Sequence, residues 1–175
     1  VICSMAEASV KYKELFEQHY NQYTKPADTD GLVALNTAFA QDGVFVYVPD
    51  RVIMERPLQI VNLMRANDNL MVILGRDAKA TVLVCDHTLS DDSFLANNAT
   101  EIVVGENSAF EYYHVQNQHI EASQINSVFV SQKRNSRYDA NVISLYGGFI
   151  RNNLFAALTE EGGECNLYGM YLSDK

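Results

Sequence analysis

An apolar strand followed by a polar corner recurs along most of this chain, and the spacing of the corners is the feature that most constrains its fold. Residues 75–85 resemble residues 105–115, thirty positions later. Asn107-Ser108 recurs as Asn135-Ser136 after 28 positions, and Gly162-Gly163 precedes the next strand after a similar interval. A fixed period of this length is typical of solenoids, in which each repeat stacks on its neighbours.

Runs of β-branched and aromatic residues between the corners predict short strands. We predict strands at residues 44–49, 58–63, 71–74, 81–85, 101–104, 111–115, 127–130, 141–145 and 166–172. Continuous apolar runs without helices between them favour stacked parallel coils over a βαβ sheet. The pattern therefore predicts a mainly β fold, a parallel β-helix. A Greek-key sandwich also spaces short strands regularly and is the alternative.

Two helices are predicted ahead of the first strand. Apolar residues from Met5 to Tyr23 recur at three- and four-residue steps, and Ser4 followed by Glu7 forms a capping box. Lys25-Pro26 ends this helix, because the residue before a proline is driven out of the helical region. The residues that predict a second, short helix are Asp28 and Asp30 as N-caps, Leu32, Leu35, Ala38 and Phe39 as its apolar side, and Asp42-Gly43 as its stop.

We divide the chain at residue 43, with a strand end and two helices in residues 1–43 and the solenoid in residues 44–175. The chain starts at Val1 without a signal peptide, and no capping element follows Leu172. We therefore expect a piece of a longer protein whose solenoid is incomplete at its C-terminal end, and an open end of this kind favours association with another chain.

The composition excludes several classes of protein. With 13 basic and 22 acidic residues the net charge is −9 at pH 7, which argues against nucleic acid as a partner. No segment has the roughly 20 apolar residues of a membrane-spanning helix. The cysteines are Cys3, Cys85 and Cys165, an odd number without paired spacing, so we predict buried thiols rather than disulfides or zinc ligands, and a cytoplasmic protein.

Asp86 and His87, with Asp91 and Asp92 nearby, carry the ligand types of a divalent cation. They lie in one polar stretch without a diagnostic spacing, so we interpret them as a solvated loop. In an enzyme of the polysaccharide-lyase type, which is also a β-helix, Asp86, Asp91 and Asp92 would lie on an acidic, calcium-binding face. This is our alternative function.

The remaining charged and polar candidates also have structural interpretations. His114 and His119, near Glu111 and Glu121, could form an acid–base site, but hydrogen-bonded corners are the simpler interpretation. His19 is expected on the surface. A basic turn is expected to be solvated or paired with an acidic neighbour, and it consists of Lys133, Arg134 and Arg137. Asparagines are expected mostly at the corners, where they can form ladders, and they are Asn97, Asn98, Asn107, Asn117, Asn126, Asn135 and Asn141.

No nucleophile, base and orienting group occur in a recognisable pattern. Gly147-Gly148 and Gly162-Gly163 do not continue as phosphate-binding loops, and neither G-x-S-x-G nor H-E-x-x-H occurs. We therefore predict no catalytic residue and no metal ligand, and we assign no cofactor-binding residue. From its residues alone the chain is a scaffold.

Three collinear blocks resemble the SufB/SufD family of iron–sulfur cluster assembly proteins, and its SufD branch most. They are LNTAFAQDGVFVYVP at residues 35–49, NVISLYGGFIRNNL at residues 141–154 and ECNLYGMYL at residues 164–172, with a similar helix at residues 4–23 before them. The resemblance implies a right-handed parallel β-helix. It also implies a non-enzymatic subunit that works with a SufB-type scaffold and a SufC-type ATPase, supports iron supply, and can form homodimers.

In that family the cluster-related residues and the ATPase-binding tail lie toward the C terminus, beyond the blocks matched here. We therefore carry over no functional residue and expect no cofactor within this chain. Iron or the iron–sulfur cluster is expected to belong to the complex as a whole. Cys85 and Cys165 match no family ligand. We interpret residues 146–153 as coil geometry, with glycine where backbones crowd and Arg151 and Asn153 at a corner.

Overall fold

The computed structural model describes residues 1–23, 31–40, 42–63, 69–88 and 91–172. Its helices are α1 (Met5–Lys11), α2 (Lys13–His19) and α3 (Gly31–Phe39). Its strands are β1 (Ile2–Ser4), β2 (Val44–Val48), β3 (Leu58–Leu63), β4 (Asn69–Leu74), β5 (Lys79–His87), β6 (Phe94–Val104), β7 (Ala109–Asn117), β8 (Ala122–Gln132), β9 (Arg137–Tyr146), β10 (Phe149–Leu158) and β11 (Glu164–Tyr171).

The strands form two sheets that run along a parallel β-solenoid of about four turns. The first sheet has the order β1-β2-β4-β6-β8-β10, and the second has the order β11-β9-β7-β5-β3. Successive coils add one strand to each sheet, always in parallel, and only β1 pairs antiparallel, with β2. The predicted β-helix is confirmed, and the Greek-key alternative is wrong because neighbouring strands run parallel.

The core lies between the two sheets and is built from side chains stacked in register. In the first sheet Val72 pairs with Ile102 and Ile102 with Val130, which are steps of 30 and 28 residues. All three are buried, and they face Val82 and Tyr112 of the second sheet in one hydrophobic cluster. The period seen in the sequence is therefore the length of one coil.

One corner of the solenoid is a stack of residues with left-handed backbone angles. They are Arg51, Asp77, Asn107, Asn135 and Gly162, with φ between +52° and +75°. Each of the first four donates its backbone N–H to the next coil, and the side-chain amide of Asn107 reaches Asp77 while that of Asn135 reaches Asn107. Asn, Asp and Gly tolerate this conformation best, which explains why they recur there.

Of the predicted asparagine ladder, Asn107 and Asn135 are confirmed as corner residues. The other five lie in strands: Asn97 and Asn98 in β6, Asn117 in β7, Asn126 in β8 and Asn141 in β9. The corner prediction is wrong for the first four, whereas Asn141 is part of a predicted strand. A ladder of the expected kind joins Asn98 to Asn126 at 3.0 Å.

The N-terminal helices pack on the outer face of the first sheet. The Ser4 hydroxyl accepts the Glu7 backbone N–H at 3.0 Å, which confirms the Ser4 half of the predicted capping box. The Glu7 carboxylate accepts from Lys11 instead of closing the box. A single helix to Tyr23 is wrong, because the chain leaves the helical region at Tyr12, which has φ −123°. This break places the rings of Tyr12 and Phe16 6.1 and 6.2 Å from that of Phe45.

The second predicted helix is confirmed as α3, but its buried side differs from the prediction. Val33 and Asn36 are buried, whereas Leu35 and Phe39 are exposed. The Asn36 amide donates to the Asn97 carbonyl at 2.6 Å, so polar contacts join this helix to the first sheet. The predicted stop at Lys25-Pro26 and the N-caps Asp28 and Asp30 lie outside the described residues.

Strand β10 is not among the predicted strands. Gly148 is crowded as predicted, since a Cβ there would come within 1.9 Å of the Ile120 carbonyl oxygen. Arg151 and Asn153, however, belong to β10 instead of a corner, and the Arg151 guanidinium donates to the Asn153 side chain at 3.0 Å. Three consecutive polar residues hid this strand: Arg151 and Asn153 lie on its outer face, whereas Asn152 lies inside the solenoid.

Candidate functional site

A buried carboxylate lies at the centre of the polar residues inside the solenoid. Asp86 is fully buried on the inner face of β5. Its carboxylate lies 2.6 Å from Nε2 of His114 and accepts hydrogen bonds from the side-chain amides of Asn62, at 2.9 Å, and of Gln124. Strands of three successive coils therefore converge on one charged group.

Two inner columns extend this site along the solenoid, and together we call them the inner polar line. Asn62, Asp86, Gln116 and Ser144 pair in register in the second sheet. Asn98, Asn126 and Asn152 do so in the first sheet.

Side-chain hydrogen bonds join the two columns. Asn126 accepts from Asn98 at 3.0 Å and donates to Asn152 at 2.9 Å. Asn152 and Gln116 exchange hydrogen bonds of 2.9 and 3.0 Å across the interior, and the Ser144 hydroxyl donates to Gln116 at 2.6 Å. The line therefore connects the buried carboxylate with the last described coil.

The inner polar line provides hydrogen bonds instead of covalent chemistry. Within the described part of the chain, the line and the donors around Asp86 contain one carboxylate, the imidazole of His114, amides and a hydroxyl, and no group of three or more potential metal ligands occurs. A cavity of about 20 Å³ beside Asp86, His114 and Asn126 has room for one water molecule. A buried hydrogen-bonded network of this kind favours one alignment of the coils over shifted ones.

Electrostatics around Asp86 follow from burial and from its donors. Burial raises the pKa of this carboxyl, but the hydrogen bond and charge of His114, with the amides of Gln124 and Asn62, outweigh it and hold the pKa below its usual value. Burial, together with the Asp86 charge, raises the pKa of the Tyr112 hydroxyl. Asp86 is therefore held as a carboxylate inside the fold.

Acid is expected to destabilise the solenoid through Asp86. Because the folded state lowers the pKa of Asp86, its contribution is fully present above about pH 4 and is lost as the pH falls through the lower, folded-state value. Urea midpoints measured between about pH 6 and pH 2 are expected to fall at the acid end, and to fall less in Asp86→Asn. An equal fall in both proteins would show that other carboxylates cause it.

The predicted solvated loop around Asp86 is wrong for Asp86 itself. His87, the next residue, is half-buried on the opposite side of β5, while Asp91 and Asp92 are exposed. The Asp91 carboxylate lies 3.5 Å from His119. Asp86, Asp91 and Asp92 therefore share no face, and the geometry does not favour the calcium-binding alternative.

The two histidines of the proposed acid–base site lie apart. His114 is buried with Asp86, whereas His119 lies in the turn before β8 and accepts the Glu121 backbone N–H at 3.2 Å. Glu111 accepts from Thr81 at 3.2 Å on the outer face of the second sheet. The corner interpretation therefore holds for His119 but is wrong for His114.

Two further predictions concern basic residues. Lys133 and Arg137 pair with carboxylates of the following coil, Glu160 at 3.5 Å and Glu164 at 3.8 Å, and Arg137 also pairs with Asp139 at 2.7 Å. The solvated turn expected for these residues is therefore replaced by ion pairs with carboxylates of their own and the following coil. The surface position predicted for His19 is wrong, since it is half-buried, and burial followed by the Lys133 charge lowers its pKa.

Sequence analysis did not find Gln116, Gln124, Ser144 or Asn152. The signal was present, because Gln116 follows Asp86 by one coil of 30 residues and Ser144 follows Gln116 by one of 28. Aligning the repeats on their corners would have shown a polar residue at the same inner position of successive coils.

Comparison with known proteins identifies the architecture. Residues 60–175 match the family described as SUF system FeS cluster assembly, SufBD core domain. The chain belongs to the SufBD family. Residues 1–60 match the SufBD protein N-terminal region, so the helical layer and the first strands are also typical of SufBD proteins.

Curated SufBD relatives are similar over two thirds of this chain. The iron–sulfur cluster assembly protein SufD of Bacillus subtilis is 26% identical over an alignment of 123 residues that covers 67% of this chain and 28% of the relative. The iron–sulfur cluster assembly SufBD family protein ycf24 of Pyropia yezoensis is 29% identical over an alignment of 125 residues that covers 67% of this chain and 25% of the relative. The chain therefore spans about a quarter of the length of these SufBD proteins. Among the described residues, no helix is long and apolar enough to cross a membrane.

Proposed function

We propose that this chain is part of a SufD-like subunit that supports iron–sulfur cluster assembly and iron acquisition as a non-enzymatic scaffold in the cytoplasm. The observation that carries the proposal is that the match to the SufBD core domain, residues 60–175, covers the solenoid from β3 to β11. The similarity to a relative named SufD favours that branch. The interior of hydrogen-bonded amides supports a structural role for the solenoid.

The proposed partners are a SufB-type subunit and a SufC-type ATPase, with the cluster as the cargo of the complex. The resemblance implies that the ATPase-binding part of such proteins lies beyond the region matched here. The chain itself is therefore expected to present a solenoid surface and not the ATPase contact.

A pull-down tests this function. The 175-residue chain and the full product of its gene are each tagged and incubated with the SufC-type and SufB-type proteins of the same organism. We expect the full product to capture both partners and this chain to capture neither. If the full product captures neither, the assembly role is refuted while the fold assignment is unaffected.

Self-association of the chain is expected through its open end, which we define as the outer edges of β10 and β11. No described strand pairs with these edges, and Phe155, Leu158 and Tyr171 beside them are at least half exposed. Unpaired strand edges favour pairing with another chain. Sedimentation velocity should show mass rising with concentration, and Phe155→Lys with Leu158→Lys should reduce it. A concentration-independent monomer would contradict this expectation.

A further inference from the structure

The outer face of the second sheet has an uninterrupted apolar column with one residue from every coil. The residues of this column pair in register from strand to strand and are Val61, Cys85, Val115, Ile143 and Met170. A second column runs beside it, in which Leu83, Tyr113 and Tyr168 are interrupted by the polar residues Gln59 and Asn141. We call these two columns the apolar face.

The apolar face is exposed in its first and last coils and partly exposed between them, except at Cys85, which is buried at 8%. Val61, Tyr168 and Met170 have exposed fractions of 51%, 59% and 50%. Neither hydrophobic cluster of the described residues includes a side chain from it. Contiguous apolar surface across five strands is uncommon on a protein without a partner there, and it marks interaction sites.

The first sheet shows how a face of this kind is covered in the same molecule. On its outer side Phe45, Met71 and Ile73 are buried beneath Met5 and Phe16 of the N-terminal helices. Neighbouring strands are about 4.8 Å apart and a helix advances about 5.4 Å per turn. A helix lying across the strands therefore offers about one apolar side chain to each coil.

The charges around the apolar face favour a basic partner protein over a second copy of this chain. Glu111 and Asp139 lie in the neighbouring column, and Asp91, Asp92 and Glu121 lie in the turns at its other side. Arg137 is engaged with Asp139 and with Glu164. A second copy would bring carboxylates against carboxylates at this rim, whereas a basic partner would be attracted to it.

We propose that the apolar face is a docking surface for an amphipathic helix of a partner protein whose apolar ridge is flanked by lysine or arginine. The helix lies across the strands and places its ridge on the column of Val61, Val115 and Met170. Its basic side chains meet Glu111 on one side and the acidic turns on the other. The geometry and charge of this face support the docking surface independently of the iron–sulfur role.

The probe is a fluorescein-labelled synthetic helix of about 18 residues, five turns long, with a leucine ridge and lysine flanks. Two matched peptides carry glutamate flanks or the same composition in scrambled order. We expect the lysine-flanked peptide to bind at least about tenfold more tightly than either control, with affinity falling as salt rises. Equal binding of the scrambled peptide would overturn the proposal.

Variants locate the binding surface. Val115→Asp is expected to weaken binding at least about tenfold, and Glu111→Lys to weaken it and reduce the salt dependence. Val10→Asp makes the same change on helix α1, where Val10 is 78% exposed, and should leave binding unchanged. Should Val115→Asp unfold, Val115→Thr replaces it, with circular dichroism confirming the fold. Equal loss in Val10→Asp, or no loss in the face variants, would refute the proposal.

Measurements of self-association distinguish binding at the apolar face from pairing at the open end. If the face instead binds a second copy, Val115→Asp would abolish self-association and the double lysine variant at Phe155 and Leu158 would not. That outcome would overturn the helix assignment. We expect the opposite pattern, with Val115→Asp self-associating like the unmodified chain.

Discussion

Replacing Asp86 with alanine is expected to lower the free energy of unfolding by about 3–5 kcal/mol. The substitution leaves His114, Gln124 and Asn62 inside the solenoid without the acceptor they share. Buried donors that lose their acceptor keep the cost of desolvation without its compensation. Urea denaturation followed by circular dichroism at pH 7 measures the change.

The matched control is Asp92→Ala, since Asp92 is exposed and lies only six residues away. It should change stability by no more than about 0.5 kcal/mol. Asp86→Asn retains one acceptor oxygen and is expected to fall between the two. A loss below about 1 kcal/mol for Asp86→Ala would mean that water replaces the carboxylate, and that the inner polar line does not hold the coils together.

Gly105→Ala is expected to destabilise the solenoid by about 1–3 kcal/mol or more. A Cβ at this corner would lie 2.5 Å from the carbonyl oxygen of Gly75 and 2.6 Å from that of Leu74. Both obstacles are backbone atoms of the preceding coil, and the Gly105 N–H already donates to Leu74 at 3.0 Å. The coils must therefore separate locally, which thermal unfolding will report as a lower midpoint.

Gly169→Ala is the control for this substitution. A Cβ at Gly169 would meet nothing within 4 Å. Alanine there restricts the unfolded chain and is expected to leave stability unchanged or raise it by up to about 1 kcal/mol. If both variants lose the same amount, the cost comes from backbone conformational preference and not from the contact between coils.

The architecture could be predicted from the sequence because the corners repeat. Asn107 and Asn135 occupy equivalent left-handed positions one coil apart, and few residue types fit them, so the period survives where the rest of the coil diverges. The predicted strands are shorter than the observed ones. β6 begins at Phe94 rather than at residue 101, because its first half contains Asn97 and Asn98, which resemble a turn.

The buried carboxylate could not be placed from its local sequence. Asp86-His87 reads as polar and exposed, and only the side-chain alternation of a strand sends Asp86 inward and His87 outward. His114 and Gln124 reach it from other coils, 28 and 38 residues away. Local sequence patterns predict which face of a strand a side chain occupies. Contacts between coils also depend on the register of the paired strands, and that register came from the structure.

The antiparallel pairing of β1 with β2 has a consequence for synthesis. β1, β2 and the N-terminal helices precede the later coils in the sequence, and each later strand pairs with one made only about 24 to 30 residues before it. Short loops close at little entropic cost, and chains emerge from the ribosome N terminus first. Each new coil can therefore pair with a coil that is already made, one after another, as translation proceeds.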